Sequence, residues 1–133
     1  MNILLDTHTL IWALEDNPKL NDFARDIVTN LDNQIFVSTA SIWEIAIKQS
    51  ARKDFPYEPE VIINLSSRAG FRFLAIGLEE MKKYNNLKVK DNKYVNNDPF
   101  DKMLISQAKA NNFKLLTHDS VIAYYDEPCI ICY

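Results

Sequence analysis

Asn2-Ile3-Leu4-Leu5-Asp6 is the stretch on which the reading of this chain turns. Three consecutive apolar residues stand between a polar start and a carboxylate, the pattern of a short strand buried on both faces and central in a parallel sheet. Asp6 then falls at the strand's carboxyl end, the edge where open α/β sheets present their ligand sites. Other acids that belong to such a site have to arrive at the same edge.

The rest of the chain alternates helices with further short strands. Leu10-Ile11-Trp12-Ala13-Leu14 reads as a helix that Asn17-Pro18 ends or interrupts. A second helix is expected from about Asn21 to Leu31, with Phe23, Ile27 and Leu31 as its apolar face. Gln34 to Val37 is a strand, and Ser38 or Thr39 caps a helix running to about Arg52. Glu60 to Ala69 is helical with Gly70 as its stop, Phe71 to Ile76 a strand, and Leu78 to Tyr84 a short helix. Asp98-Pro99 opens a helix to about Asn111, with proline at its first position. Phe113 to Leu116 is a strand, Val121 to Tyr124 a short helix, and Cys129 to Cys132 the last strand. The succession predicts one three-layer α/β/α domain over residues 1–133 around a mostly parallel central sheet.

Composition sets the outer limits. The 133 residues suffice for one domain, and 47% apolar with 25% charged residues fits a folded chain rather than a disordered one. A net charge of −3 makes no general electrostatic glove for nucleic acid, yet it permits catalysis on nucleic acid once bound cations alter the local field. No apolar run is long enough to span a membrane and no basic region precedes the first one, so the expected location is cytoplasmic. Cys129 and Cys132 are expected to be free thiols, since zinc needs more ligands than one such pair.

Four acids stand out: Asp6, Glu44, Asp101 and Asp119. Each also has a plain structural reading. Asp6 and Asp119 can cap the helices that follow them, Ser41-x-x-Glu44 matches a capping box, and Asp101 suits the first turn of a helix dipole. Taken together the acids say more. Asp6 and Asp119 follow short apolar strands, while Glu44 and Asp101 lie early in helices. Parallel topology would gather all four at one sheet edge, where unpaired carboxylates repel one another. A divalent cation removes that penalty, and oxygen-only ligands suit Mg2+ or Mn2+, one ion or two. Such a centre activates water and stabilises charge on a transferring phosphoryl group.

Four segments carry a family likeness. They are Leu4-Leu5-Asp6-Thr7-His8-Thr9-Leu10, Ser38-x-x-Ser41-x-Trp43-Glu44-Ile45-Ala46, Asp98-Pro99-Phe100-Asp101 through Ala108, and Leu115-Leu116-Thr117-His118-Asp119. In this order they resemble the PIN-domain ribonucleases, and within them the VapC-type toxins of bacterial toxin–antitoxin modules. The resemblance implies that Asp6, Glu44, Asp101 and Asp119 are the metal-binding and catalytic acids, with Thr117 as the hydroxyl beside the last. Thr7 and Ser41 are expected to support the site. By the same likeness the chain is a Mg2+- or Mn2+-dependent endoribonuclease, held in check by a cognate antitoxin protein and working as a homodimer. One departure stands out: relatives place histidine or arginine before the Asp-Pro-Phe-Asp run, whereas this chain has Asn96 and Asn97 after an extended polar stretch from Lys88 to Val95.

Grip on an RNA substrate needs cations. Lys48, Arg52 and Lys102 are the candidates nearest the acids, with Lys53, Lys82, Lys83, Lys88, Lys90 and Lys93 farther along the same segments; an ordinary solvated surface is the plainer reading for most of them. His8 and His118 adjoin two of the acids and are possible substrate contacts. Asp98 is read as a helix cap. Haloacid dehalogenase-type chemistry would need a second aspartate where His8 stands, and the chain's two glycines make no phosphate-binding loop. A second functional reading stays open: a catalytically silent PIN-like module that binds a partner protein.

Overall fold

A computed structural model describes residues 1–90 and 98–133. Five strands, β1 (Asn2–Leu5), β2 (Gln34–Ser38), β3 (Arg72–Leu74), β4 (Lys114–Thr117) and β5 (Ile130–Cys132), form one sheet in the order β3-β2-β1-β4-β5. All four ladders are parallel, and β1 is central as its apolar run predicts. Among the described residues six α-helices surround the sheet: α1 (Thr7–Glu15), α2 (Asp22–Thr29), α3 (Thr39–Ala51), α4 (Pro59–Arg68), α5 (Leu78–Lys83) and α6 (Pro99–Asn111).

The two-residue period of β1 divides the core. Ile3 and Leu5 pack with Leu10, Ile11, Ile45 and Ile62 on one face, while Leu4 packs with Leu104, Ile105 and Leu115 on the other. All three strand residues are fully buried, so β1 contributes to both cores, each apolar side chain stabilising by about 1.5–3 kcal/mol. The chain winds from β1 outward to β3, then returns past β1 to β4. The reversal puts the topological switch point at the carboxyl ends of β1 and β4, the place where such sheets bind ligands.

Helix ends follow the local chemistry of the sequence. Ser38 is the cap of α3, its hydroxyl accepting from the Ala40 amide at 3.0 Å, so the Ser41–Glu44 capping box does not form and Glu44 is left for other partners. Asp98 caps α6, accepting from the amides of Phe100 at 2.8 Å and Asp101 at 3.2 Å. Gly70, at φ +82, turns the chain out of α4 in the left-handed region that glycine tolerates.

The expected apolar face of α2 needs correction. Phe23 is exposed and Leu31 is 99% exposed, because the helix ends at Thr29 and leaves Leu31 in the following turn. Of the predicted face only Ile27 packs on the core, partly buried like Val28, while the fully buried position of the helix is Ala24, with Leu20 buried just before the helix starts. The third strand is also shorter than the apolar run Phe71 to Ile76, since only Arg72–Leu74 pair with β2. Cys129 is buried and Cys132 exposed, both free. Among the described residues no helix is long and apolar enough to cross a membrane. Asn96, Asn97 and most of the Lys88 to Val95 stretch, Lys93 included, lie outside the described residues.

Candidate active site at the carboxyl edge of the sheet

Asp6 leaves β1 at its carboxyl end and becomes the cap of α1 in the same step. Its amide donates to the Leu116 carbonyl at 3.2 Å, extending the ladder between β1 and β4 by one residue. The side chain is 4% exposed. Oδ1 accepts from the Thr9 amide at 2.8 Å, and Oδ2 accepts from the Thr117 hydroxyl at 2.5 Å. Burial pushes the Asp6 carboxyl above its ordinary value; the donors on Thr117 and Thr9 and the charge of His8 oppose that shift without cancelling it. The helix-cap reading of Asp6 is therefore correct, and the same residue is a desolvated carboxylate at the switch point.

Thr117 works on two acids at once. Its oxygen also accepts from the Asp119 amide at 3.0 Å, while Asp119 Oδ1 accepts from the Val121 amide at 2.8 Å. Asp119 thus starts the turn into the short 3-10 segment Ile122–Tyr124 rather than capping a full helix.

Glu44 is held by α1. The Thr7 hydroxyl donates to Glu44 Oε1 at 2.6 Å, and Thr7 Oγ1 lies 3.0 Å from Ser41 Oγ. Thr7 has a single hydroxyl hydrogen, so with it committed to the carboxylate the Thr7–Ser41 contact is made by the hydrogen of Ser41. Lys48 Nζ stands 3.2 Å from Glu44 Oε2, one turn farther along α3. Asp101 occupies the first turn of α6 and is half-buried. Trp43 packs edge-on against Phe100 at 5.2 Å, which joins the early turns of α3 and α6 beside Glu44 and Asp101. Deeper in the same helix pair, Ser38 donates to Gln107 Oε1 at 2.5 Å, and Gln107 Nε2 donates to the Leu74 carbonyl at 3.3 Å. This fully buried glutamine ties α6 to β2 and β3, with both ends of its amide engaged.

Two hydrogen-bonded groups result, Asp6–Thr117–Asp119 and Thr7–Ser41–Glu44, joined covalently through Asp6-Thr7. Among the described residues, no three His, Cys, Asp or Glu side chains are posed closely enough together to hold a metal ion. The donor chemistry nevertheless suits a hard dication: the acids offer oxygen only, and Asp6 bears a burial penalty that a cation would relieve. In the described pose the Lys48 ammonium supplies the positive charge beside Glu44.

The cations expected to hold RNA are partly engaged elsewhere. Lys48 is paired with Glu44, Arg52 Nε lies 3.8 Å from Asp54, and Lys102 Nζ sits 4.3 Å from the centre of the Tyr84 ring. His8 and His118 are both exposed beside Asp6 and Thr117. Sequence reasoning overlooked Tyr133, whose hydroxyl is 2.7 Å from Thr9 Oγ1 and whose amide donates to the Thr117 carbonyl at 3.1 Å. Burial pushes the Tyr133 phenol up to about 12, so near neutral pH it is a protonated hydrogen-bonding group. Tyr133 carries no motif; only the pairing of β4 with β5 brings it to this edge.

A parallel five-stranded sheet with acids at the carboxyl edge of its central strand defines a class of α/β proteins with their site at the switch point. Within that class the chain belongs to the PIN domain family, whose match covers residues 3–128. Among solved structures it is similar in fold to a chain of VapBC2 from Rickettsia felis, described as bound to a DNA fragment from their promoter. That match has a TM-score of 0.67 and 19% identity, and covers 100% of this chain and 98% of the other. No curated protein matches the sequence.

Proposed function

We propose that this chain is a Mg2+- or Mn2+-dependent endoribonuclease, the toxin of a toxin–antitoxin module. Residues 1–133 act as a single cytoplasmic PIN-like domain. The observation that carries the reading is the buried, hydroxyl-supported Asp6 carboxylate at the switch point, with Glu44 tethered to the adjacent residue through Thr7. Membership of the PIN domain family supports it, and the VapBC2 likeness in fold is consistent with an antitoxin partner.

In this reading Asp6, Glu44, Asp101 and Asp119 would hold one or two ions, which when bound would lower the pKa of water and offset charge on the phosphoryl oxygens. The chain's own residues do the rest. Thr117 fixes the Asp6 carboxylate and the Asp119 main chain in one geometry. Thr7 and Ser41 orient Glu44, which would exchange Lys48 for a bound cation. Released from Glu44, Lys48 is placed to meet a phosphate, as are Arg52 and Lys102 on exchanging their present partners. A cognate antitoxin and a second copy of the chain would cover apolar surface such as Trp43, which is 60% exposed.

The test is RNA cleavage by the purified chain after metal stripping and readdition. Wild type should cut in Mg2+ or Mn2+ and stop in EDTA, and Asp6→Asn should not cut. Equal cleavage by both proteins would refute the assignment of Asp6. Absence of cleavage by wild type on transfer, ribosomal and messenger RNA would favour the silent interaction module.

A further inference from the structure

Four aromatic side chains stand in a row beside Asp6, and the chemistry above uses none of their ring faces. His8 and Trp12 have centroids 5.8 Å apart, Trp12 and His118 5.7 Å, and His118 and Tyr133 5.0 Å. They come from three separate elements. His8 and Trp12 lie on one side of α1 at i and i+4, His118 follows β4, and Tyr133 follows β5. The parallel ladders that place Asp6 at the sheet edge therefore assemble the row as well. His118 Nδ1 is hydrogen-bonded to the Tyr133 carbonyl, which fixes the ring's position. His8 and His118 are exposed, whereas Trp12 and Tyr133 are half-buried and back them. Lys19 Nζ lies 5.6 Å from the ring centre of Trp12, an inner member of the row.

Packing alone does not account for this arrangement. Two of the four rings expose their surface to water directly beside a desolvated carboxylate, where an aliphatic cover would suffice for stability. We infer that His8, Trp12, His118 and Tyr133 form a base-stacking shelf that receives an unpaired nucleotide of single-stranded RNA next to Asp6, with Lys19 meeting a neighbouring phosphate. Every base has a flat π-face, so such a shelf holds RNA without reading sequence and excludes bases locked in a duplex. The rings touch one another, so the base is received on their outer faces and not between them. This deepens the ribonuclease reading and rests on it. The four rings are positioning residues, and the metal-binding acids remain as proposed.

The experiment uses the full chain with Trp43→Phe, which leaves Trp12 as the sole tryptophan of the two in the sequence. A single-stranded RNA of about eight nucleotides, within the span of known single-strand sites, is titrated in EDTA so that it stays uncut. The expected result is quenching of Trp12 emission by the single strand and none by the same sequence as a duplex. His8→Ala and His118→Ala should each weaken binding roughly 5-fold and raise KM of cleavage with kcat little changed, while His118→Phe should restore affinity because it keeps a ring. Equal quenching by duplex, or unchanged emission with an RNA that the wild type cuts in Mn2+, would overturn the shelf. Quenching by an RNA that is never cut would support the shelf and refute the ribonuclease reading, so the two failures are distinct.

Discussion

Replacing Thr117 with valine removes one hydroxyl and almost no volume, which makes it a sharp probe of the site's electrostatics. The hydroxyl donates to Asp6 Oδ2 at 2.5 Å and accepts from the Asp119 amide at 3.0 Å. A hydrogen bond to a buried charge is worth about 1.5–3 kcal/mol, and the Asp119 amide, only half-buried, recovers part of its loss from water. The expected cost at neutral pH is about 2–3 kcal/mol, or a fall in Tm of roughly 6–12 °C for a chain of this size. The pH dependence is diagnostic. Burial already holds the folded-state carboxyl of Asp6 above its reference value of 3.8, and Thr117 is the largest influence pulling it back. A raised folded pKa means that stability is fullest at acid pH and declines as pH rises through that pKa. Thr117→Val raises the pKa further, so its deficit should widen as pH climbs from about 4 towards neutrality. Urea denaturation followed by circular dichroism, in EDTA and at several pH values, measures this. A loss below about 0.5 kcal/mol, or one constant across the range, would refute the claim that the hydroxyl supports an ionised Asp6.

Other expectations follow from the same contacts. In the absence of metal, Asp6→Asn should gain stability relative to wild type as pH rises above the reference carboxyl value, because it removes the group whose ionisation opposes burial; parallel stability–pH curves would contradict this. Glu80→Ala should cost about 2 kcal/mol in chemical denaturation, since its carboxylate accepts from the Gly77 amide and the Asn111 side chain, both at 3.0 Å. RNA affinity should fall steeply between low and moderate salt, and binding insensitive to salt would remove Lys48, Arg52 and Lys102 as phosphate contacts. Lys48→Met should tighten Mn2+ binding measured by calorimetry, because it frees Glu44 Oε2; weaker or unchanged binding would show that the ammonium does not compete for that carboxylate.

The sheet was legible because its signals are local. An uninterrupted apolar triplet such as Ile3-Leu4-Leu5 has only one comfortable setting, buried on both faces, and the acid that ends it marks the functional edge. Caps were legible for the same reason: Asp98 before Pro99 and Ser38 before α3 act within three residues of themselves. The α2 stripe was misread at Phe23 and Leu31 but not at Ile27: the three keep a helical spacing, yet the helix ends before Leu31 and a small residue, Ala24, packs closest to the core. Gln107 and Tyr133 were illegible in their roles. Each depends on partners more than thirty residues away, Ser38 and Leu74 for one and Thr9 for the other. Such contacts exist only after the sheet order is set, and single-residue chemistry does not announce them. The acids lie between these cases. Their positions at element ends could be read from the sequence, and the family likeness named Thr7 and Thr117 as supporting hydroxyls, while the acids those hydroxyls bond, Glu44 and Asp6, emerge only from tertiary pairing.

The most direct test is anomalous scattering from a crystal of the full chain grown in Mn2+. A manganese peak is expected within carboxylate bonding distance of Asp6, with Glu44 turned off Lys48 and Asp101 completing the set, and no such peak in Asp6→Asn. Wild-type crystals in saturating Mn2+ with Glu44 still paired to Lys48 and no peak beside Asp6 would contradict it.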